Sequence, residues 1–182
     1  DGQRVVGRPL VAGTQAYLVT EAGGRGYLSK ISLEDLNQSA QLSFSQPIVA
    51  PPVLISGGKQ LVVAGHREVI YTIDVGGFTC EAASYLGHPA GSIESPLLSM
   101  GGLVLLPQND QAAAAKKPAT DGENLVVAEN DRLDSCRLRV IRLAGNGTQL
   151  APVAEVRVAG HVRDPVMLRG RDLFVPLSGE RL

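Results

Sequence analysis

The chain is predicted to be all-β: a β-propeller built from four-stranded antiparallel blades, about three and a half of them, forming an incomplete ring. A repeated unit carries this reading. It reads Pro9-Leu10-Val11-Ala12-Gly13, Pro52-Val53-Leu54-Ile55-Ser56-Gly57, Pro96-Leu97-Leu98-Ser99-Met100-Gly101 and Pro165-Val166-Met167-Leu168-Arg169-Gly170. Its prolines lie 43, 44 and 69 residues apart, and a period in the low forties built of β-type units is the signature of propeller blades. Two further observations agree. Apolar and polar residues alternate with period 2, as Leu42 and Phe44 do with Gln41, Ser43 and Ser45, which is the pattern of half-buried strands. No stretch shows helical periodicity.

Each unit supplies blade strands in order. In the first, Arg8 to Ala12 reads as the inner strand, followed by a tight Gly13-Thr14-Gln15 turn and strands over 16–21, 26–33 and 40–45. The second repeats this over 52–56, 60–64, 68–75 and 82–86, with Gly57-Gly58-Lys59 as the turn. The third runs 94–99, turns at Gly101-Gly102, and places its second strand at Leu103 to Leu106. Its proline spacing leaves about 25 extra residues. Gln111 to Gly122, with Ala112 to Ala115, reads as a mobile surface loop because it has little to bury. Asn124 to Glu129 resumes β character, either extending the second hairpin or adding a strand. Arg137 to Leu143 is the third strand, Asn146-Gly147 a hairpin turn, and Val153 to Val158 the outer strand. A fourth unit begins at Pro165 and reaches a second strand at Leu173-Phe174-Val175. Proline cannot donate to a ladder, so it suits the first residue of a strand. Blades are thus expected over about 5–46, 47–89 and 90–160, with a half-blade over 161–182 and a mobile insertion over about 108–123.

Composition narrows the functional classes. Lys and Arg number 17 against 18 Asp and Glu, a net charge of −1. A nucleic-acid or membrane-surface partner recognised by bulk charge needs a basic face, which this balance does not provide. No apolar run approaches the ~20 residues of a membrane-crossing helix, so no membrane insertion is expected. Aromatics make up 4% and Trp is absent, which predicts an aliphatic interior. Cys80 and Cys136 fall at different places within neighbouring blades and read as unpaired thiols rather than a bridge. Propellers usually close with four to eight blades. The chain, which opens at Asp1, is therefore expected to belong to a longer, processed or truncated protein, or to have its ring completed by another chain.

The units resemble quinoprotein-type (PQQ-like) propeller repeats, a family that includes the propeller of the outer-membrane assembly lipoprotein of Gram-negative bacteria. The likeness rests on Ser95 to Leu106 and on Val69 to Phe78, where Tyr71, Ile73 and Asp74 match the family's third strand and Gly76-Gly77 stand near its turn. Tyr27, Ile31 and Leu33 echo it in the first blade. The resemblance implies a propeller exported to the periplasm or cell surface. The tryptophan that usually closes each such blade is missing throughout, and the family's dehydrogenases stack their quinone on an aromatic plane, so no cofactor is expected. WD-type repeats match less well: Gly87-His88 and Gly160-His161 resemble their Gly-His element, but no Trp-Asp pair follows.

The candidate site is the mouth of the propeller channel. His88 and His161 occupy the same repeat position, in the connectors between blades. His66 and Arg67 lie in a second-to-third-strand loop expected on the same face. Glu94 and Asp164 stand just before inner strands, where such carboxylates bind a polar ligand or, more commonly, cap the turn. Three imidazoles would suit a metal, but they belong to successive blades, too far apart for direct ligation, so loop histidines are the favoured reading and no metal is assigned. The Asn37-Gln38-Ser39 and Asn146-Gly147-Thr148 triplets match a glycosylation acceptor and are explained equally by their turns. No catalytic residue is assigned. The expected function is a non-catalytic scaffold or protein-interaction module with a protein partner. The alternatives are a propeller enzyme whose active residues lie outside this chain and a carbohydrate-binding propeller, which usually wants exposed aromatics.

Overall fold

The computed structural model describes residues 2–87, 90–99, 123–131, 134–144, 149–170 and 172–178. Among them there is no α-helix, only a 3-10 turn at Ser56–Gly58. The first sheet holds β1 (Arg4–Val5), β2 (Leu10–Ala12), β3 (Gln15–Ala22), β4 (Arg25–Ser32) and β5 (Gln38–Phe44). The second holds β6 (Val53–Ile55), β7 (Gln60–Gly65), β8 (Val69–Asp74) and β9 (Thr79–Tyr85). The third holds β10 (Leu98–Ser99), β11 (Glu123–Asn130), β12 (Ser135–Ala144) and β13 (Gln149–Ala159), and the fourth is the hairpin of β14 (Met167–Arg169) and β15 (Asp172–Phe174). All pairings are antiparallel between sequential neighbours, apart from β1, which also joins β3.

Three features identify these sheets as repeats of one blade. Each four-stranded meander slips register once between its third and outer strands, at Lys30/Ile31, Thr72/Ile73 and Val140/Ile141. These isoleucines are equivalent positions, and the bulge bends the outer strand in every sheet alike. The inner strand is interrupted in every unit: Val6, Val49, Ser92 and His161 make a first set of backbone bonds, the chain kinks at the proline segment, and β2, β6, β10 and β14 make the second. The four kinks converge on one cavity of about 510 Å³ that touches Gly7, Pro51, Pro96 and Pro165. That cavity marks the common axis. Gly7 is required there, because its φ is +69° and a Cβ would meet Pro51 Cγ at 2.3 Å.

The sheets stack face to face, which the period of β7 explains. All six of its residues are buried. Leu61 and Val63 point into a core with Tyr17, Val19, Leu28 and Phe44 of the first sheet. Val62 and Ala64 point the other way, into a core with Leu125, Val127, Ile141 and Leu143 of the third. A third core joins Ala128, Cys136 and Leu138 to Val162 and Val166 of the fourth unit. Sheets fanned about an axis and buried against both neighbours are propeller blades.

One reading left open is now placed, and one expectation needs correction. The strand hydrogen-bonded to the inner strand of the third blade is Glu123–Asn130, with Leu98 opposite Val126. Its alternate residues enter two different cores, which only a central strand does. The segment 103–106, read as that second strand, and the insertion at 108–123, except Glu123, lie outside the described residues, as do the turns at 101–102 and 145–148. The interior is also not uniformly aliphatic. Tyr17 stacks on Phe78 at 6.3 Å and Phe44 tilts against Tyr71 at 4.7 Å, so four of the seven aromatics gather between the first two blades. Cys80 is exposed, Cys136 is buried, and neither is bridged.

Candidate functional site

The blades are joined at one end by connectors, and at each junction a buried polar side chain fixes the next chain segment. At the first, Gln46 is 6% exposed. Its Oε1 accepts from Arg67 N at 2.6 Å, and its Nε2 donates to the Tyr71 hydroxyl at 2.6 Å. At the third, Asn130 Nδ2 donates to Val162 O at 3.0 Å while its Oδ1 accepts from Val162 N at 2.8 Å. At the second, the loop His66-Arg67-Glu68 staples the connector three times. Glu68 O accepts from Leu86 N at 2.9 Å, His66 O from Gly91 N at 2.8 Å, and Glu68 Oε1 from Ser92 N at 3.0 Å.

Glu68 is fully buried and occupies the left-handed region, with φ of +60°. That conformation costs a non-glycine residue roughly 1–2 kcal/mol. It closes a three-residue hairpin, a turn whose last position usually takes glycine; here the side-chain bond to Ser92 gives the position a different use. Burial pushes its carboxyl above the ordinary range, opposed by hydrogen bonds from the Ser92 hydroxyl and from the Ser92 and Ile93 backbones. Burial likewise raises Glu129, against the pull of Arg139 and Arg137. Glu129 is held between those arginines at 3.2 Å from each.

The sequence-predicted residues are only partly assembled. His66 and Glu94 line one cleft of about 510 Å³ together with Arg4 and Glu21. Arg67 is exposed and anchored through its backbone by Gln46. Glu94 does not cap its own turn: its Oε2 accepts from Arg163 Nε at 3.0 Å, joining the inner strands of adjacent units. His161 stands apart, with Nε2 3.9 Å from Asp131 Oδ1. Asp164 is exposed, and neither it nor Arg67 nor His161 lines that cleft. His88 lies outside the described residues.

Asp131, Ser135 and His161 are the residue types of a hydrolytic triad in the wrong order. Ser135 donates both its backbone N–H and its hydroxyl to Asp131, so the carboxylate, not the imidazole, holds the serine. That is the cap of the β11–β12 hairpin. Among the described residues no group of three His, Cys, Asp or Glu side chains is placed to hold a metal ion. Nor is any helix long and apolar enough to cross a membrane.

Comparison with known proteins adds little. No family model matches the chain, and no curated protein matches it. Among solved structures it is similar to the crystal structure of BamB from Moraxella catarrhalis, at 7% identity and a TM-score of 0.44, over 93% of this chain. The chain spans 66% of that protein's length.

Proposed function

We propose that this chain is a non-catalytic propeller module that presents its channel-mouth face to a protein partner, within a larger exported protein of the periplasm or cell surface. The observation that carries the reading is the buried polar residue at each blade junction, Gln46, Glu68 and Asn130. Each spends hydrogen bonds on fixing loops at that one face. A surface ordered before contact loses less entropy on binding, so such fixing suits recognition. We read the units as quinoprotein-type repeats, with blades over about 5–46, 47–89 and 90–160, a half-blade over 161–182, and the remaining blades supplied by the same or another chain. His66, Arg67, His88, Glu94, His161 and Asp164 are the proposed contact residues.

The test is site-specific photo-crosslinking in the native cell envelope. A crosslinker at His66, Arg67 or Glu94 should capture one discrete protein, while the same group at Thr14 or Lys59, in the hairpins at the other end of the blades, should not. Equal capture from both ends would remove the proposal.

A further inference from the structure

A second cavity of about 260 Å³ opens beside the stapled connector, between Gly91 and Ser92 on one wall and Asp131, Ser135, Arg137 and Arg157 on the other. Arg137 and Arg157 are direct cross-strand partners on β12 and β13. Like charges in that relation repel and destabilise a sheet. Arg137 is compensated, with Nε 3.2 Å from Glu129 and Nη1 3.4 Å from Glu155. Arg157 is exposed, and no ion pair or hydrogen bond joins its side chain to a described residue.

The acidic groups around the cavity are already engaged. Glu129 lies between Arg137 and Arg139, Glu94 pairs with Arg163, and Asp131 is tied to Ser135. The Ser92 hydroxyl is turned to the Glu68 carboxyl behind the wall. What this cavity has left to offer is therefore the guanidinium fork of Arg157. A guanidinium is a donor for an oxyanion and recognises a carboxylate by two parallel hydrogen bonds.

We infer that this cavity is a carboxylate-binding subsite, taking an acidic side chain of the protein partner against Arg157. The inference rests on the mouth face being the interaction surface and adds to it the partner's chemistry. A carboxylate seated there relieves the Arg137–Arg157 repulsion, and the Glu68 staple sets the connector wall against which it packs.

The test titrates a capped tetrapeptide of alternating Glu and Asp into the isotopically labelled protein, beside its Gln/Asn counterpart, acetate and inorganic phosphate. Saturable shifts are expected at the Gly91, Ser92 and Arg157 amides with the acidic peptide and not with its neutral counterpart. Arg157→Gln should weaken binding at least tenfold and Arg157→Lys less, while Arg169→Gln, which removes the same charge from β14, should stay within twofold of the parent. Equal losses in Arg157→Gln and Arg169→Gln would reduce the effect to bulk charge and overturn the inference. So would absence of saturable shifts at millimolar peptide, or binding of phosphate as tight as that of peptide. If crosslinking from His66 captures a partner while the parent protein shows no saturable peptide binding, this subsite falls and the mouth-face reading stands.

Discussion

Replacing Asn130 with alanine isolates what holds the fourth unit to the third. In the parent, one amide satisfies both backbone groups of Val162, at 2.8 and 3.0 Å. Val162 is completely buried and Asn130 nearly so, so water does not readily replace what the truncation removes. A buried polar group left unsatisfied costs about 1–3 kcal/mol, and two are exposed to that cost here. Allowing partial relaxation, the loss should be about 2–4 kcal/mol, a large share of the 5–15 kcal/mol typical of a domain. At a urea slope of about 2 kcal/mol per M, the middle of the usual range, the midpoint should fall by roughly 1–2 M. Asn130→Asp keeps the acceptor for Val162 N but sets a carboxylate against Val162 O, so it should also destabilise while still protecting the Val162 amide. The neighbouring Glu94–Arg163 pair provides the contrast. It is 40% and 63% exposed, and an exposed ion pair is worth about 0–1 kcal/mol, so Arg163→Ala should barely move the midpoint. Urea titration with amide exchange at Val162 reads both effects. An Asn130→Ala midpoint close to that of Arg163→Ala, with unchanged exchange at Val162, would refute the clamp.

Other outcomes follow from the same geometry. Glu68 and Glu129 bind protons more readily folded than unfolded, so their contribution is fully present below the ordinary carboxyl value of 4.5 and is lost as pH rises through the raised folded values. Glu68→Gln keeps an acceptor for Ser92 N and removes the charge; it should flatten the pH dependence of the urea midpoint above pH 4.5 and be no less stable than the parent at neutral pH. A steeper dependence in the variant would contradict this. Gly7→Ala must place a Cβ 2.3 Å from Pro51 Cγ at a positive φ, and overpacking of this kind costs about 1–3 kcal/mol, readable as a lowered thermal midpoint. In native protein Cys80 should react with a thiol reagent and the fully buried Cys136 should not; equal reaction of both before unfolding would contradict the third core.

The period of the chain was legible because its physical causes are local. A proline at the inner-strand kink, a glycine in the first hairpin and alternation along each strand all leave marks within a few residues. Strand positions in the first two blades follow from those marks to within a few residues at each end. In the third blade the place of Asn124 to Glu129 stayed open, as an extension of the second hairpin or an added strand, since the hydrophobic run Leu103 to Leu106 satisfies the same local pattern. The pairing of Glu123–Asn130 with Leu98 goes with alternate residues that fill two cores, and that demand is set by neighbouring blades.

The site was less legible for the same reason, and the residues that organise it are the ones that look ordinary in sequence. Gln46, Glu68 and Asn130 stand at strand ends where polar residues are expected anyway. Their importance comes from a partner 21, 24 or 32 residues away, on the next blade. The histidines drew notice by residue type, yet His161 faces Asp131 at 3.9 Å and does not join His66. Arg157 carried no signal in a chain of balanced charge, because its distinction is relational: a cation opposite another cation, beside acids already paired. In a repeat protein each unit packs only on its neighbours, so a single period reveals what is built within a unit and conceals what is built between units. Substitutions at the junction residues should therefore loosen the docking of one unit on the next before they disturb the ladders inside either blade, and amide exchange at Val162 in Asn130→Ala tests that order directly.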